Sequence, residues 1–151
     1  MYPAVGHTCG MAKVGLASDE DHQVLDAIRT AIGACGHEVV EFGVDLAWPE
    51  AGSSVADAIA AGTLEWGVVC CWTGTGVSIA ANRVPGVRAA LCADAETARG
   101  ARKWNDANVL ALSLRLTSAA VAGEIVSAFA ETGVDPTEVP NIAKLDPPAR
   151  G

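Results

Sequence analysis

The chain has 151 residues, with 10 Lys and Arg against 18 Asp and Glu, a formal net charge of −8. Half the residues are hydrophobic and 19% are charged, which fits one globular domain with a real core and excludes a disordered chain. No basic stripe appears, so nucleic acid and acidic membrane surfaces are excluded as expected partners.

Taken in order, residues 1–11 read as a flexible tail without the basic and apolar regions of a signal peptide. Residues 13–17 (KVGLA) form a short apolar strand. Residues 18–21 (SDED) suit a loop that caps a helix. Val24, Leu25, Ile28 and Ile32 recur at helical spacing up to Gly33. Residues 38–42 (EVVEF) give a second strand. Residues 44–52 read as a loop carrying Trp48 and Pro49, and Ser53 or Ser54 as the cap of a helix that ends at Gly62. A third strand ends at Cys71, a fourth covers residues 87–92, and Asp94 caps a helix to about Trp104. Residues 109–113 (VLALS) are the fifth strand, residues 118–132 a long helix with Gly133 as its C-cap. Residues 134–151 hold four prolines and are expected to lie extended as a tail to a domain of residues 12–133.

Strands alternate with helices five times, and the strands are continuous apolar runs, as when both faces are covered. The expected fold is α/β: a Rossmann-like, three-layer, doubly wound sandwich around a five-stranded parallel sheet. Ligands in such sheets bind outside the carboxyl ends of the strands. Asp19, Cys71 and residues 93–96 all fall at that edge.

The most informative stretch is residues 67–82 (GVVCCWTGTGVSIAAN). A buried strand breaks into Thr73-Gly74-Thr75-Gly76 and resumes as a helix from about Val77. Free amides at a helix start favour an anion. A thiol beside them, Cys71, can serve as base or nucleophile. An acid–base group next to an oxyanion site is the minimum for proton transfer beside a carbonyl. Read locally, the same residues also describe a buried cysteine and a plain βα turn. Five cysteines, an odd number without CxxC spacing, suit a reducing cytoplasm better than a disulfide scaffold or a metal site. No metal constellation or dinucleotide fingerprint is present, and no cofactor is expected.

Residues 71–82 (CWTGTGVSIAAN) resemble the CGTGxGxSIAAN signature of the ribose-5-phosphate isomerase B and galactose-6-phosphate isomerase family. Further segments agree in order: Ala17-Ser18-Asp19, residues 36–40 (GHEVV) with Phe42-Gly43, residues 86–92 (GVRAALC), and residues 105–112 (NDANVLAL) with Arg115. The resemblance implies an aldose–ketose isomerase without metal. Its proton-carrying cysteine falls on Cys71 and its loop threonine on Thr73. Its enediolate-binding amides fall on Gly74, Thr75, Gly76, Val77 and Ser78. Its first-strand aspartate falls on Asp19. Its asparagine, supplied across a dimer interface, falls on Asn105. The implied assembly is a homodimer or tetramer with shared sites. A subgroup that uses a loop glutamate instead has Val77 here, which leaves the cysteine version.

The departures bear on substrate. The family's histidine after the aspartate is Glu20; His22 lies nearby, either as its substitute or as a solvated histidine on the first helical turn. The ring-opening histidine is Trp104, the glycine after the cysteine is Trp72, and the loop aromatic beside proline is Trp48. The C-terminal arginines that grip phosphate have no counterpart; Arg115 remains, with Lys144 in the tail before Arg150. Phosphate recognition favours charge-assisted arginine contacts. The sequence therefore points to a sugar or sugar derivative other than ribose 5-phosphate, with three tryptophans on loops near the site to stack on it. The alternatives are a non-catalytic sugar-binding or partner subunit, and a ribose-5-phosphate isomerase whose phosphate contacts are rearranged onto Arg115 and Lys144.

Overall fold

A computed structural model describes residues 10–145. The expectations for residues 1–9, for residues 146–151 and for Arg150 lie outside the described residues.

Five strands form one sheet: β1 (Lys13–Ser18), β2 (Glu38–Gly43), β3 (Trp66–Cys71), β4 (Ala89–Leu91) and β5 (Val109–Ser113). Every pairing is parallel, in the order β2-β1-β3-β5-β4. The helices are α1 (Val24–Ala34), α2 (Trp48–Ala60), α3 (Thr75–Asn82), α4 (Ala95–Asn105), α5 (Ala119–Glu131) and the short α6 (Val139–Ile142).

Every residue of β3 is buried, because it is central and covered on both faces. Its side chains alternate between two cores. Val68 and Cys70 join Leu16, Ile28, Ile32, Leu110, Ile125 and Phe129 beneath α1, α4 and α5. Val69 and Cys71 join Ala17, Val55, Val77 and Ala111 beneath α2 and α3. The helix after β1 thus covers one face and the helix after β3 the other. Between those two neighbouring strands the winding switches sides, which opens a crevice at their carboxyl ends.

Several expected boundaries move. Helix α2 begins at Trp48, not at Ser53 or Ser54, because Pro49 sits in its first turn, where a missing amide costs nothing. Strand β4 is shorter than expected: the Arg88 amide donates to the side-chain Oδ1 of Asn108 at 2.8 Å instead of to a strand. Helix α5 ends on Thr132 in extended backbone, and Gly133 is not left-handed. The described part of the tail is not extended. Residues 136–138 form a 3₁₀ turn capped by Asp135, and α6 follows with Ile142 buried. Its prolines occupy first-turn positions, where they start helices instead of breaking them. Asp94 caps α4 as expected, accepting the Thr97 amide at 2.7 Å, and that bond holds its carboxyl below the usual range.

The far end of α4 is fixed by a buried ion group. Asp106, left-handed at φ 46, receives Arg102 at 3.0 Å and Arg88 at 3.3 Å. Opposite, α2 lies directly on α3: a Cβ at Gly52 would stand 2.7 Å from the Val77 carbonyl and 2.8 Å from the Ala80 methyl. Gly52→Ala should therefore cost about 1–3 kcal/mol by forcing the two helices apart. A urea denaturation midpoint unchanged from wild type would show that the contact yields freely.

Candidate active site

The site is built where β1 and β3 end side by side. Ser18 pairs with Cys70, and the Asp19 amide donates to the Cys70 carbonyl at 3.2 Å. Asp19 and Cys71 therefore leave the sheet as neighbours, at the crevice between the two helical layers. Cys71 is 5% exposed and its thiol faces the α2–α3 side. The turn after Asp19 is held from within: the Ser18 hydroxyl donates to the Glu20 carbonyl at 2.7 Å, and the Leu46 amide donates to the Ser18 carbonyl. Among the described residues, Oδ1 of Asp19 is buried without a hydrogen-bond partner. Desolvation, then the neighbouring Glu20 charge, raises the Asp19 pKa above the ordinary carboxylate value, against the opposing effect of its own backbone amide.

After Cys71 the chain is pinned to β5. The Trp72 carbonyl accepts the Ser113 hydroxyl at 2.9 Å and the Arg115 amide at 3.0 Å. Thr73 and Thr75 join hydroxyls at 2.8 Å across the loop. Gly74 then turns left-handed at φ 76, with its Cα so close to Leu91 and the Leu112–Ser113 peptide that a side chain would collide. This turn starts α3 at Thr75, earlier than Val77. The amides of Thr75, Gly76 and Val77 precede the first intrahelical bond and have no partner carbonyl within the helix. Ser78 differs from expectation: its amide donates to the Gly74 carbonyl at 3.3 Å, so it is spent inside the helix. Val77 turns its side chain into the core and offers backbone only.

Of the three tryptophans expected on loops, only Trp72 is on one. Trp48 opens α2 and packs against Gly76 in the first turn of α3, with its Cε3 2.8 Å from where a Gly76 Cβ would be. Both indoles stay about half exposed, at 48% and 51%. Trp104 and Asn105 are the last residues of α4, which runs back from the carboxyl edge. Within one chain they stand at the opposite edge of the sheet from Cys71. Asn105 lines a groove of about 1110 Å³ there with Asn82, Arg83, Pro85 and Leu145. Lys144, next to Leu145, is at that same edge and bonds Asn141, so it does not converge with Arg115 in one chain. Glu20 is exposed beside Asp19. His22 is half-buried and its Nδ1 accepts the Val24 amide at 3.1 Å, in place of a capping carboxylate at the start of α1. His37 is structural: its Nδ1 accepts the Ala12 amide and its ring stands edge-on to Trp66. Ser113 was not singled out from the sequence; the signal for it is a lone polar residue closing an apolar strand. Among the described residues no cluster of His, Cys, Asp and Glu could hold a metal, and no helix is long and apolar enough to cross a membrane.

A profile described as Ribose/Galactose Isomerase matches residues 14–145. The chain belongs to the ribose/galactose isomerase family. It is 37% identical over 125 residues to galactose-6-phosphate isomerase subunit LacB of Clostridium acetobutylicum, covering 78% of this chain and 72% of that one. It is 42% identical over 82 residues to D-erythrulose-4-phosphate isomerase of Pectobacterium atrosepticum, covering 54% of each. Its fold superposes on a ribose 5-phosphate isomerase of Thermotoga maritima with a TM-score of 0.83 at 34% identity, over 89% of this chain and 97% of that one. The family consists of sugar phosphate isomerases, so the enzyme class expected from the signature holds, as does the Rossmann-like fold.

The electrostatics of Asp19 give a stability test with a definite sign. A carboxyl whose folded pKa is raised penalises the fold once it ionises, so its cost appears as pH rises through the folded value and is absent below the ordinary value of 3.8. Asp19→Asn should therefore raise the melting temperature at pH 7, and the gain should vanish by pH 3.5. A variant less stable than wild type at pH 7 would mean that Asp19 is held by contacts its charge favours.

Proposed function

We propose that this family member is an aldose–ketose isomerase acting on a sugar phosphate other than ribose 5-phosphate. The observation that carries the reading is the adjacency of the Cys71 thiol, the Asp19 carboxyl and the first-turn amides of α3 at one crevice. A C–H beside a carbonyl is weakly acidic, so its removal needs a base in contact and fixed donors where charge develops. Cys71 would take the proton from one of C1 and C2 and return it to the other through a cis-enediolate. The amides of Thr75, Gly76 and Val77, with the Thr73 hydroxyl, would meet the enediolate oxygen. Asp19 would hold sugar hydroxyls, which is the use for an acceptor left without a protein donor. Trp48 and Trp72 would stack on the C–H face of the sugar.

The departure from ribose 5-phosphate is supported by charge. At this edge of the sheet one chain carries Asp19, Glu20 and Asp21 after β1 and Arg115 after β5, so acidic residues outnumber the cation. A homodimer, in which Asn105 of a second copy completes the site, accounts for an exposed asparagine at the far edge. The described cysteines are free, which fits a cytoplasmic enzyme.

Incubation in D₂O with a panel of free and phosphorylated sugars tests the chemistry. Deuterium should enter C1 or C2 of the responding sugar, and Cys71→Ala should lower that exchange by about 10²-fold or more. Saturable binding without exchange, unchanged by Cys71→Ala, would leave a non-catalytic subunit. That outcome has a point of reference in the relative named as a subunit.

A further inference from the structure

Helix α4 closes on a residue that its backbone does not favour. Asp106 follows the last helical residue, Asn105, and stands left-handed at φ 46; among the described residues no other residue except glycine has a positive φ. Helices commonly end on such a position, and glycine takes it without strain, whereas aspartate adopts it at a cost. The Asp106 side chain is 3% exposed and joins a buried ion group. Its Oδ1 accepts Nη1 of Arg102 at 3.0 Å, and its Oδ2 accepts Nη2 of Arg88 at 3.3 Å. Apolar side chains of similar volume often match or exceed the stability of such a group, so its use here lies in the geometry it fixes.

Both guanidiniums grip backbone as well as carboxylate. Nε of Arg88 donates to the Asp106 carbonyl at 2.8 Å, and Nη1 of Arg102 donates to the Ala107 carbonyl. Arg88 is held in turn by Asn108, whose Oδ1 accepts its amide at 2.8 Å. Nε of Arg102 donates to the Thr132 carbonyl at 3.2 Å, and its guanidinium lies 5.4 Å from the centre of the Phe129 ring. The backbone after Asn105 is thus clamped between the start of β4 and the end of α5. Asn105 itself is exposed, and the clamp fixes the chain that carries it. A hydrogen-bonding amide serves a reaction only where it is held in place, and a misplacement of about 1 Å can cost about 10²-fold.

We infer that Asp106 is a positioning residue, which aims Asn105 at the substrate in the crevice of a second copy. The inference rests on the isomerase reading above, with its site shared between two copies. In its own chain Asp106 stands at the edge of the sheet away from Cys71, so it reaches the reaction only across the interface.

The test pairs variants in heterodimers that carry two different tags and are purified on both. Deuterium exchange is read with galactose 6-phosphate, D-erythrulose 4-phosphate, ribose 5-phosphate and the rest of the sugar panel. Asp106→Asn keeps the volume and tolerates the left-handed turn but loses the charge; its homodimer should exchange about 10-fold more slowly than wild type, or slower still. Paired with Cys71→Ala it should regain about half the wild-type rate, because the intact thiol then meets an Asn105 held by an intact Asp106. A fault confined to its own chain would stay with the intact thiol and would not be repaired. Arg88→Lys, which keeps the charge but not the fork, should show the same pattern and serves if Asp106→Asn does not fold. Wild-type exchange by the folded Asp106→Asn homodimer overturns the inference. So does a loss that the pairing leaves unrepaired while Asn105→Ala is repaired in the same pairing, and that result leaves the shared site standing. If Asn105→Ala is not repaired either, the shared site falls and the inference with it, while exchange by wild type keeps the isomerase reading. Absence of exchange by wild type with every sugar overturns both.

Discussion

The parallel pairing of β1 with β3 is the constraint on which the site depends. Ser18 sits opposite Cys70, and one residue further on the Asp19 amide is bonded back to the Cys70 carbonyl. That register puts the carboxyl beside the thiol. A slip of one residue would turn Cys71 toward α1 and α5 and bring Cys70, now fully buried, to the crevice side. The two adjacent cysteines are otherwise chemically alike. Burial pushes the Cys70 thiol well up, so it stays protonated and behaves as a core side chain. Alternation along one strand thus decides which of two neighbouring thiols lies on the crevice side.

The same crevice gathers several features that folding alone does not call for. Asp19 keeps an unpartnered buried oxygen, Gly74 needs left-handed backbone, and two large indoles remain half exposed. The unpartnered oxygen and the exposed indoles are costly in a protein that only has to fold, and the left-handed turn restricts position 74 to glycine. The surrounding structure offsets them with rigidity. The buried turn at Ser18, the Ser113 hydroxyl on the Trp72 carbonyl, and α2 pressed on α3 through Gly52 hold the edge from three sides.

Much of this was legible in the sequence because the signals were local. An apolar run closing in Cys71, then Thr-Gly-Thr-Gly, dictates strand, glycine turn and helix; all three are found, with the helix starting at Thr75 instead of about Val77. What escaped depended on partners far away in the chain. Pro49 looked like a loop marker until its place in the first turn of α2 was seen. The prolines of the tail misled in the same way, since Ile142 has a core to enter and the helical turns carry it there. The Ser78 amide could not be separated from its neighbours without knowing that Gly74, two residues before Gly76, sets where the helical bonds begin. Trp104 illustrates the opposite case: a helix that starts at the carboxyl edge must end at the other, so its distance from Cys71 was implied by the element order alone.

That geometry has a consequence for how such a site can be assembled. One chain carries the thiol, the carboxyl and the donor amides at one edge, and Asn105, Trp104 and most of its exposed arginine and lysine charge at the other. No hinge within a single doubly wound layer brings these edges together, because the sheet lies between them. If residues from both edges serve one substrate, as proposed, they must come from two copies, and in a two-fold dimer each copy would present the end of its α4 to the other's crevice. The acidic crevice would then face the edge that carries the exposed Arg83, Lys103 and Lys144, and would receive from the partner copy the cations it is short of in one chain. Substrate selection would then be set at the interface as much as in the crevice, by whatever α4 presents at its end. In this chain that is an indole and an amide, neither of which can move a proton.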